Sequence, residues 1–353
     1  MNRPTRNGYC SSLSATMADA PKLVATIDMH SHPLLPAAFS LLLATTAEGA
    51  GIWPINASAD SQGPALTGAI WSPCAKPPQD VRIGEAVLSG VRDCPIDTEQ
   101  LPLVVISHGR GGSFLGQYDT AETLADAGFV VAAIDHPGDT STDMSRSDDL
   151  SAFVERPTDI KHLIDFMLQR SPVATKIDPQ RIGFFGFSRG GYAGLVLIGA
   201  NPDWAAVTEF CEQSSSYACD QIRRKEIPTQ PLTHDARIKA AVIADPLTIM
   251  FSRNSYAGIT VPVQLWQSER GGDGVFPQNV EIAEKSLPAP HEYHVVPNSA
   301  HFAFLGPCPP AVAKTRPELC TDAPGFDRVA FHKELDTAAL AFLRQHLVRI
   351  DKP

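Results

Sequence analysis

Short, mainly apolar runs recur along the chain and alternate with segments whose apolar positions fall three and four residues apart. Leu103-Val-Val-Ile-Ser107 is one such run; Phe129–Ile134, Ile238–Ala244, Val261–Trp266 and Tyr293–Val296 are others. A strand covered on both faces has no solvent side, so it reads as an unbroken apolar stretch, as in a parallel sheet. Tyr118–Ala127 sets Tyr118, Ala121, Leu124 and Ala125 on one side and stops at Gly128, which predicts a helix. Pro157–Arg170 opens on proline and carries Ile160, Leu163, Ile164 and Met167 inward, predicting a second. Val329–Leu347, with Phe331, Leu335, Leu343 and Leu347 on one face, predicts a closing helix. Buried strands alternating with helices predict an α/β fold: a mostly parallel central sheet, helices on both faces, and functional loops at the C-terminal ends of the strands.

Three stretches break the rhythm. Leu66–Pro73 reads as an early strand at a sheet edge, and the proline-rich sequence from there to about Leu101 reads mostly as loop. Residues 139–156 are polar, rich in Asp and Ser, and read as a loop over a cleft. Residues 201–236 mix charges, aromatics and prolines and are read as a cap inserted into one domain spanning 51–353, with a surface excursion as the alternative. No internal repeat is visible.

The chemistry concentrates between residues 178 and 194. An apolar run through Ile182, Phe184 and Phe185 reaches Gly186-Phe187-Ser188-Arg189-Gly190 and continues as a small-residue helix. Gly-x-Ser-x-Gly between a strand and a helix is the nucleophile elbow: its glycines let strand and helix pass while the serine hydroxyl stands clear of the backbone. A serine hydroxyl needs a base, and of the 11 histidines His301, after the last strand and before the closing helix, is placed best. The base needs a carboxylate to fix its tautomer. Asp273 is favoured narrowly over Asp245, with the loop around Glu269 as a third source. The oxyanion needs backbone N–H donors, expected from Arg189 and from Arg110 in the turn His108-Gly-Arg-Gly-Gly112. That turn matches neither glycine-rich phosphate-binding spacing. His108 and His136 are read as orienting loops.

Composition narrows the partners. A formal charge of −10 and an isoelectric point near 5.5, without a cluster of Lys and Arg, argue against nucleic acid or an anionic membrane surface. Leu34–Ala50 is too short for a membrane span and ends in small residues, so residues 1–50 are read as a leader, a signal peptide or a start assigned too early, cleaved near Ala47–Ala50. Beyond Cys10 there remain Cys74, Cys94, Cys211, Cys219, Cys308 and Cys320, three local pairs in loop-like sequence. They predict disulfides 74–94, 211–219 and 308–320 and a periplasmic or secreted protein, with reduced thiols in a cytoplasmic one as the alternative. No Cys-x-x-Cys or paired-His spacing appears, so no zinc site is expected.

Leu103–Gly112, Ala127-Gly-Phe-Val-Val-Ala-Ala-Ile-Asp-His136, the elbow and Val296-Pro-Asn-Ser-Ala-His-Phe302 together resemble the α/β-hydrolase superfamily. More narrowly they are similar to bacterial predicted dienelactone hydrolases and platelet-activating-factor acetylhydrolases, over roughly residues 65–347. The resemblance implies a Ser-His-Asp esterase acting on a small-molecule ester without metal or cofactor. It leaves the acid open: the acetylhydrolase pattern points to Asp245, the dienelactone-type pattern to Asp273. Dienelactone hydrolases proper carry a cysteine nucleophile, and Ser188 departs from that pattern. The expectation is therefore a serine carboxylic-ester hydrolase. Its rivals are an amidase or peptidase with the same triad, a phospholipid-type acetylhydrolase, and a non-catalytic binding protein.

Overall fold

Hydrogen bonding joins ten strands into one sheet in the order β10-β9-β8-β7-β5-β6-β2-β1-β4-β3. The structure, a computed structural model, describes residues 49–348 apart from positions 62, 84, 85 and 289, so the expected leader lies outside it except for residues 49 and 50. The strands are β1 (Gly51–Ala57), β2 (Leu66–Ser72), β3 (Gln79–Ile83), β4 (Ala86–Arg92), β5 (Leu101–Ser107), β6 (Val130–Ile134), β7 (Ile177–Phe187), β8 (Ile238–Ala244), β9 (Val263–Ser268) and β10 (His291–Val296). The longer helices are α1 (Tyr118–Asp126), α2 (Ser151–Gln169) and α3 (Arg189–Leu197). Then follow α4 (Thr208–Gln213), α5 (Tyr217–Arg223), α6 (Pro277–Ser286), α7 (Pro310–Thr315), α8 (Pro317–Cys320) and the closing α9 (Arg328–Leu347).

From β6 to β10 the sheet is parallel throughout. Each of these strands is therefore followed by a loop at the same edge, which is what gathers residues distant in sequence. Period-two alternation splits the core into two layers. Val105 and Phe184 face the layer shared with α2 and α3, while Val104, Ile106 and Phe185 face the layer shared with α1 and α9. Phe184 and Phe185 are both fully buried, each removing roughly 2–3 kcal/mol of unfavourable exposure.

Three expectations need correction. β2 is not an edge strand: it lies between β6 and β1, antiparallel to both. The stretch to Leu101 is not mostly loop, because β3 and β4 form an antiparallel hairpin there and β4 meets β1. α2 begins at Ser151, so Pro157 lies inside it rather than in its first turn, and residues 151–156 are helical. Asp149 Oδ1 accepts the Ser151 N–H, supplying a start signal that the proline obscured.

Candidate active site

Ser188 lies between β7 and α3 with φ +56° and ψ −118°, a left-handed conformation that costs a non-glycine residue roughly 1–3 kcal/mol. The surroundings hold it there. Its N–H donates to Ala244 O at 3.0 Å, and its own carbonyl accepts the Tyr192 and Leu247 N–H groups at 3.0 Å each. Packing explains the glycines: a Cβ at Gly186 would stand 2.4 Å from Gly190 O, and one at Gly190 would stand 1.9 Å from Ser107 O. Any larger residue would push the elbow off β5.

His301 opens a short turn after β10, and its N–H donates to Gly271 O at 2.9 Å. Its Nε2 lies 2.9 Å from Ser188 Oγ across 113 positions of sequence. Its Nδ1 lies 2.6 Å from Asp245 Oδ2. With the Nδ1–H donating to the carboxylate, the Nε2 lone pair faces the hydroxyl, the tautomer a general base requires. Asp245, fully buried at the end of β8 with φ +42°, also accepts the Ser268 N–H at 2.7 Å and the Ser268 hydroxyl at 2.8 Å. Phe187 stacks on the imidazole, ring centroids 4.7 Å apart.

The preference for Asp273 is corrected. The turn after β9 does pack on His301, since a Cβ at Gly272 would stand 3.3 Å from His301 Cβ. Yet Gly271, Gly272, Asp273 and Gly274 all have positive φ, and the Gly272–Val275 reverse turn leaves Asp273 exposed. Among the described contacts none joins Asp273 to His301. Glu269 is engaged elsewhere, accepting the Asn298 N–H at 2.6 Å.

The turn after β5 abuts the elbow, for a Cβ at Gly109 would stand 3.2 Å from Ser188 Cβ. Arg110 sends its side chain outward to Asp148 at 2.7 Å, and Arg189 sends its own inward to Asp139 at 2.9 Å. Their backbone N–H groups are left at the turn and at the first position of α3, where no intrahelical acceptor exists. Burial alone would raise the Asp139 carboxyl, but the guanidiniums of Arg156 and Arg189 hold it well below the usual carboxylate range. Burial, reinforced by Arg156, pushes His108 and His136 well below the ordinary histidine value, which disfavours the imidazolium form of each. His136 Nε2 meets Ser107 Oγ at 2.9 Å and its Nδ1 meets Asp159 Oδ2 at 2.9 Å.

A cavity of about 930 Å³ is lined by Phe210 and Ser214 from the 201–236 segment and by Ile249, Phe251, Phe276 and Ile282. All three expected disulfides are present, Cys74–Cys94, Cys211–Cys219 and Cys308–Cys320. Between α1 and α9, Asp119, His332 and Asp336 bring three possible metal-ligand atoms within 4.8 Å of one another. There His332 Nδ1 faces Asp119 Oδ2 at 2.6 Å as an ion pair, and Thr120 donates to Asp336 at 2.6 Å. Among the described residues no helix is long and apolar enough to cross a membrane.

Sequence reading missed Ser268, Phe187 as the histidine's support, and the Asp139–Arg156 pair. A signal for Arg156 was present: it is four residues before Ile160 on the face that also carries Leu163 and Met167, so the helical period turns it inward.

A family model described as serine aminopeptidase, S33 matches residues 98–211. No curated protein matches the chain. Among solved structures, a ferulic acid esterase from Streptomyces cinnamoneus superposes with a TM-score of 0.58 at 19% identity, over 88% of this chain and 96% of that one. The parallel run of strands, the elbow after β7 and this superposition give one conclusion: the chain has the α/β-hydrolase fold.

Proposed function

We propose that the protein is a serine carboxylic-ester hydrolase in which Ser188, His301 and Asp245 act as a triad. The observation that carries the reading is the chain of contacts from Ser188 Oγ through His301 to Asp245 Oδ2, 2.9 and 2.6 Å, starting from a serine held at positive φ. His301 takes the serine proton as Oγ attacks the ester carbonyl, and the N–H groups of Arg110 and Arg189 receive the developing oxyanion. His301 then protonates the leaving alcohol, and a water activated by the same imidazole releases the acid from the acyl-enzyme. The fold neighbour's name, an esterase, supports this class. The acid after β8 fits the acetylhydrolase side of the family resemblance, so short acyl esters with an apolar alcohol or phospholipid part are the finer expectation. The cavity lined in part by Ala206, Phe210 and Ser214 supports reading the 201–236 segment as a cap.

The second reading, amide or peptide hydrolysis, draws on the serine aminopeptidase description of the matched family model. Three disulfides support export to the periplasm or beyond. The test is a panel of matched p-nitrophenyl esters and p-nitroanilides, with a fluorophosphonate probe mapped by mass spectrometry. Ester turnover and label on Ser188 are expected. Faster anilide turnover would favour the peptidase reading, and absence of both turnover and label would favour a binding protein.

A further inference from the structure

The side chain that holds the turn after β5 comes from neither that turn nor the elbow. Arg156 is buried on α2, with 1% of its surface exposed. Its guanidinium makes a fork of bonds: Nη1 donates to His108 O at 2.6 Å, Nη2 to Gly109 O at 3.1 Å, and Nε to Asp139 Oδ2 at 2.9 Å. Asp139 in turn accepts the Gly111 N–H on Oδ1 at 2.9 Å and Arg189 Nη1 on Oδ2 at 2.9 Å.

The peptide between Gly109 and Arg110 makes this arrangement functional. Its carbonyl belongs to Gly109 and its N–H to Arg110, and in a planar trans peptide the two point in opposite directions. Three donors gather on the Gly109 carbonyl: Arg156 Nη2, the His108 Nδ1–H at 2.6 Å and the Gly112 N–H at 3.2 Å. The His108 tautomer is consistent with this, because its Nε2 accepts the His136 N–H at 3.2 Å. Holding the carbonyl from the interior turns the Arg110 N–H to the opposite side of the peptide, in a turn that packs on the elbow, since a Cβ at Gly109 would stand 3.2 Å from Ser188 Cβ. The Gly111 and Gly112 N–H groups are already committed to Asp139 and Gly109, so of the N–H groups that follow Gly109 in this turn the one at Arg110 is left among the described bonds. A donated bond on the carbonyl also polarises the amide and strengthens its N–H as a donor.

We propose that Arg156 is a positioning residue for the oxyanion site, acting through the Gly109–Arg110 peptide, and that Asp139 ties this clamp to the elbow by sharing its carboxylate with Arg189. The proposal deepens the ester-hydrolase reading and rests on it for the identity of the reaction. A lysine keeps the charge of Arg156 but not the planar fork, so it cannot hold two carbonyls and the carboxylate together.

The experiment compares the parent enzyme with Arg156→Lys, and with Asp139→Asn as a second variant, each checked for folding by circular dichroism and thermal midpoint. With a short p-nitrophenyl ester, kcat should fall about 10- to 100-fold while KM stays within about threefold, since an oxyanion donor acts in the transition state. Affinity for an arylboronate, which forms a tetrahedral adduct on the serine, should fall in parallel, while affinity for the product carboxylate and the pH profile of kcat/KM stay put. If Arg156→Lys does not fold, Asp139→Asn carries the same test. A folded variant that keeps parental kcat and boronate affinity overturns the proposal, as does a loss shared equally by boronate and product. A parent that turns over no ester defeats the ester-hydrolase reading, and the boronate comparison still decides the clamp: equal affinity, or no binding by the parent, overturns it.

Discussion

Among the described residues two serine–histidine–aspartate arrays stand out, and their difference shows what a hydrogen-bonded chain of this kind lacks by itself. Ser188–His301–Asp245 is linked at 2.9 and 2.6 Å, Ser107–His136–Asp159 at 2.9 and 2.9 Å. The residue types match and the distances nearly do. Placement separates them. Ser188 occupies a strained elbow where strand gives way to helix, whereas Ser107 is the fully buried last residue of β5, with Gly190 packed against its carbonyl. Electrostatics also weigh against the inner array as a catalyst. Burial and Arg156 disfavour the imidazolium at His136, and burial pushes the Asp159 carboxyl up to about 7. A base must accept a proton during the reaction, and His136 sits where that proton is least welcome. The second array braces the strand end from which the His108–Gly112 turn springs.

The largest expected contrast is at the serines. Ser188→Ala should lower kcat on a p-nitrophenyl ester by roughly 10⁴-fold or more and abolish fluorophosphonate labelling, while Ser107→Ala should leave turnover within about tenfold. Comparable losses in both would mean that the inner array takes part in chemistry. Next come the acids. Asp245→Asn should cost about 10⁴-fold in kcat by inverting the tautomer of His301, against a change within about threefold for Asp273→Asn, measured in the same assay.

The smallest effect is read as stability against pH. The Asp159 carboxyl, ordinarily at 3.8 and raised to about 7 in the fold, holds a proton between those values that the unfolded chain has released. Its contribution is therefore fullest below pH 4 and declines as pH rises to 7, by at most about 4 kcal/mol. His136, with a lowered value, acts in the opposite sense below its ordinary value of 6.5, so the parent's own profile mixes the two. Comparison with Asp159→Asn by urea denaturation isolates the carboxyl. The variant's deficit should be greatest near pH 4 and shrink toward pH 7; a constant deficit would show that the buried carboxyl is ionised throughout.

Much of this architecture was legible in the order of residues. Strands buried on both faces cannot hide their apolar run, so β5 to β9 stood out, and an elbow between strand and helix restricts which residues can flank it. Local cysteine spacing likewise anticipated all three disulfides. The β3–β4 hairpin did not stand out: Gln79, Asp80 and Val87 are exposed, so its strands lack the buried run that marked the others. Nor did the inner array, whose members lie in a strand, a loop and a helix and carry no common spacing.

The amino-acid order alone determined the parallel sheet, the hydroxyl at 188 and the imidazole at 301, because each follows from local pattern and from strand succession. Only the tertiary structure sets Asp245, and not Asp273, against the His301 ring. Both follow strands that end at the same edge, and the choice depends on how the chain turns there: buried beside Ser268 after β8, or out into solvent through a run of positive-φ residues after β9. Hydrogen-bond direction is a property of the packed backbone, and no pattern of residue types along the chain encodes it.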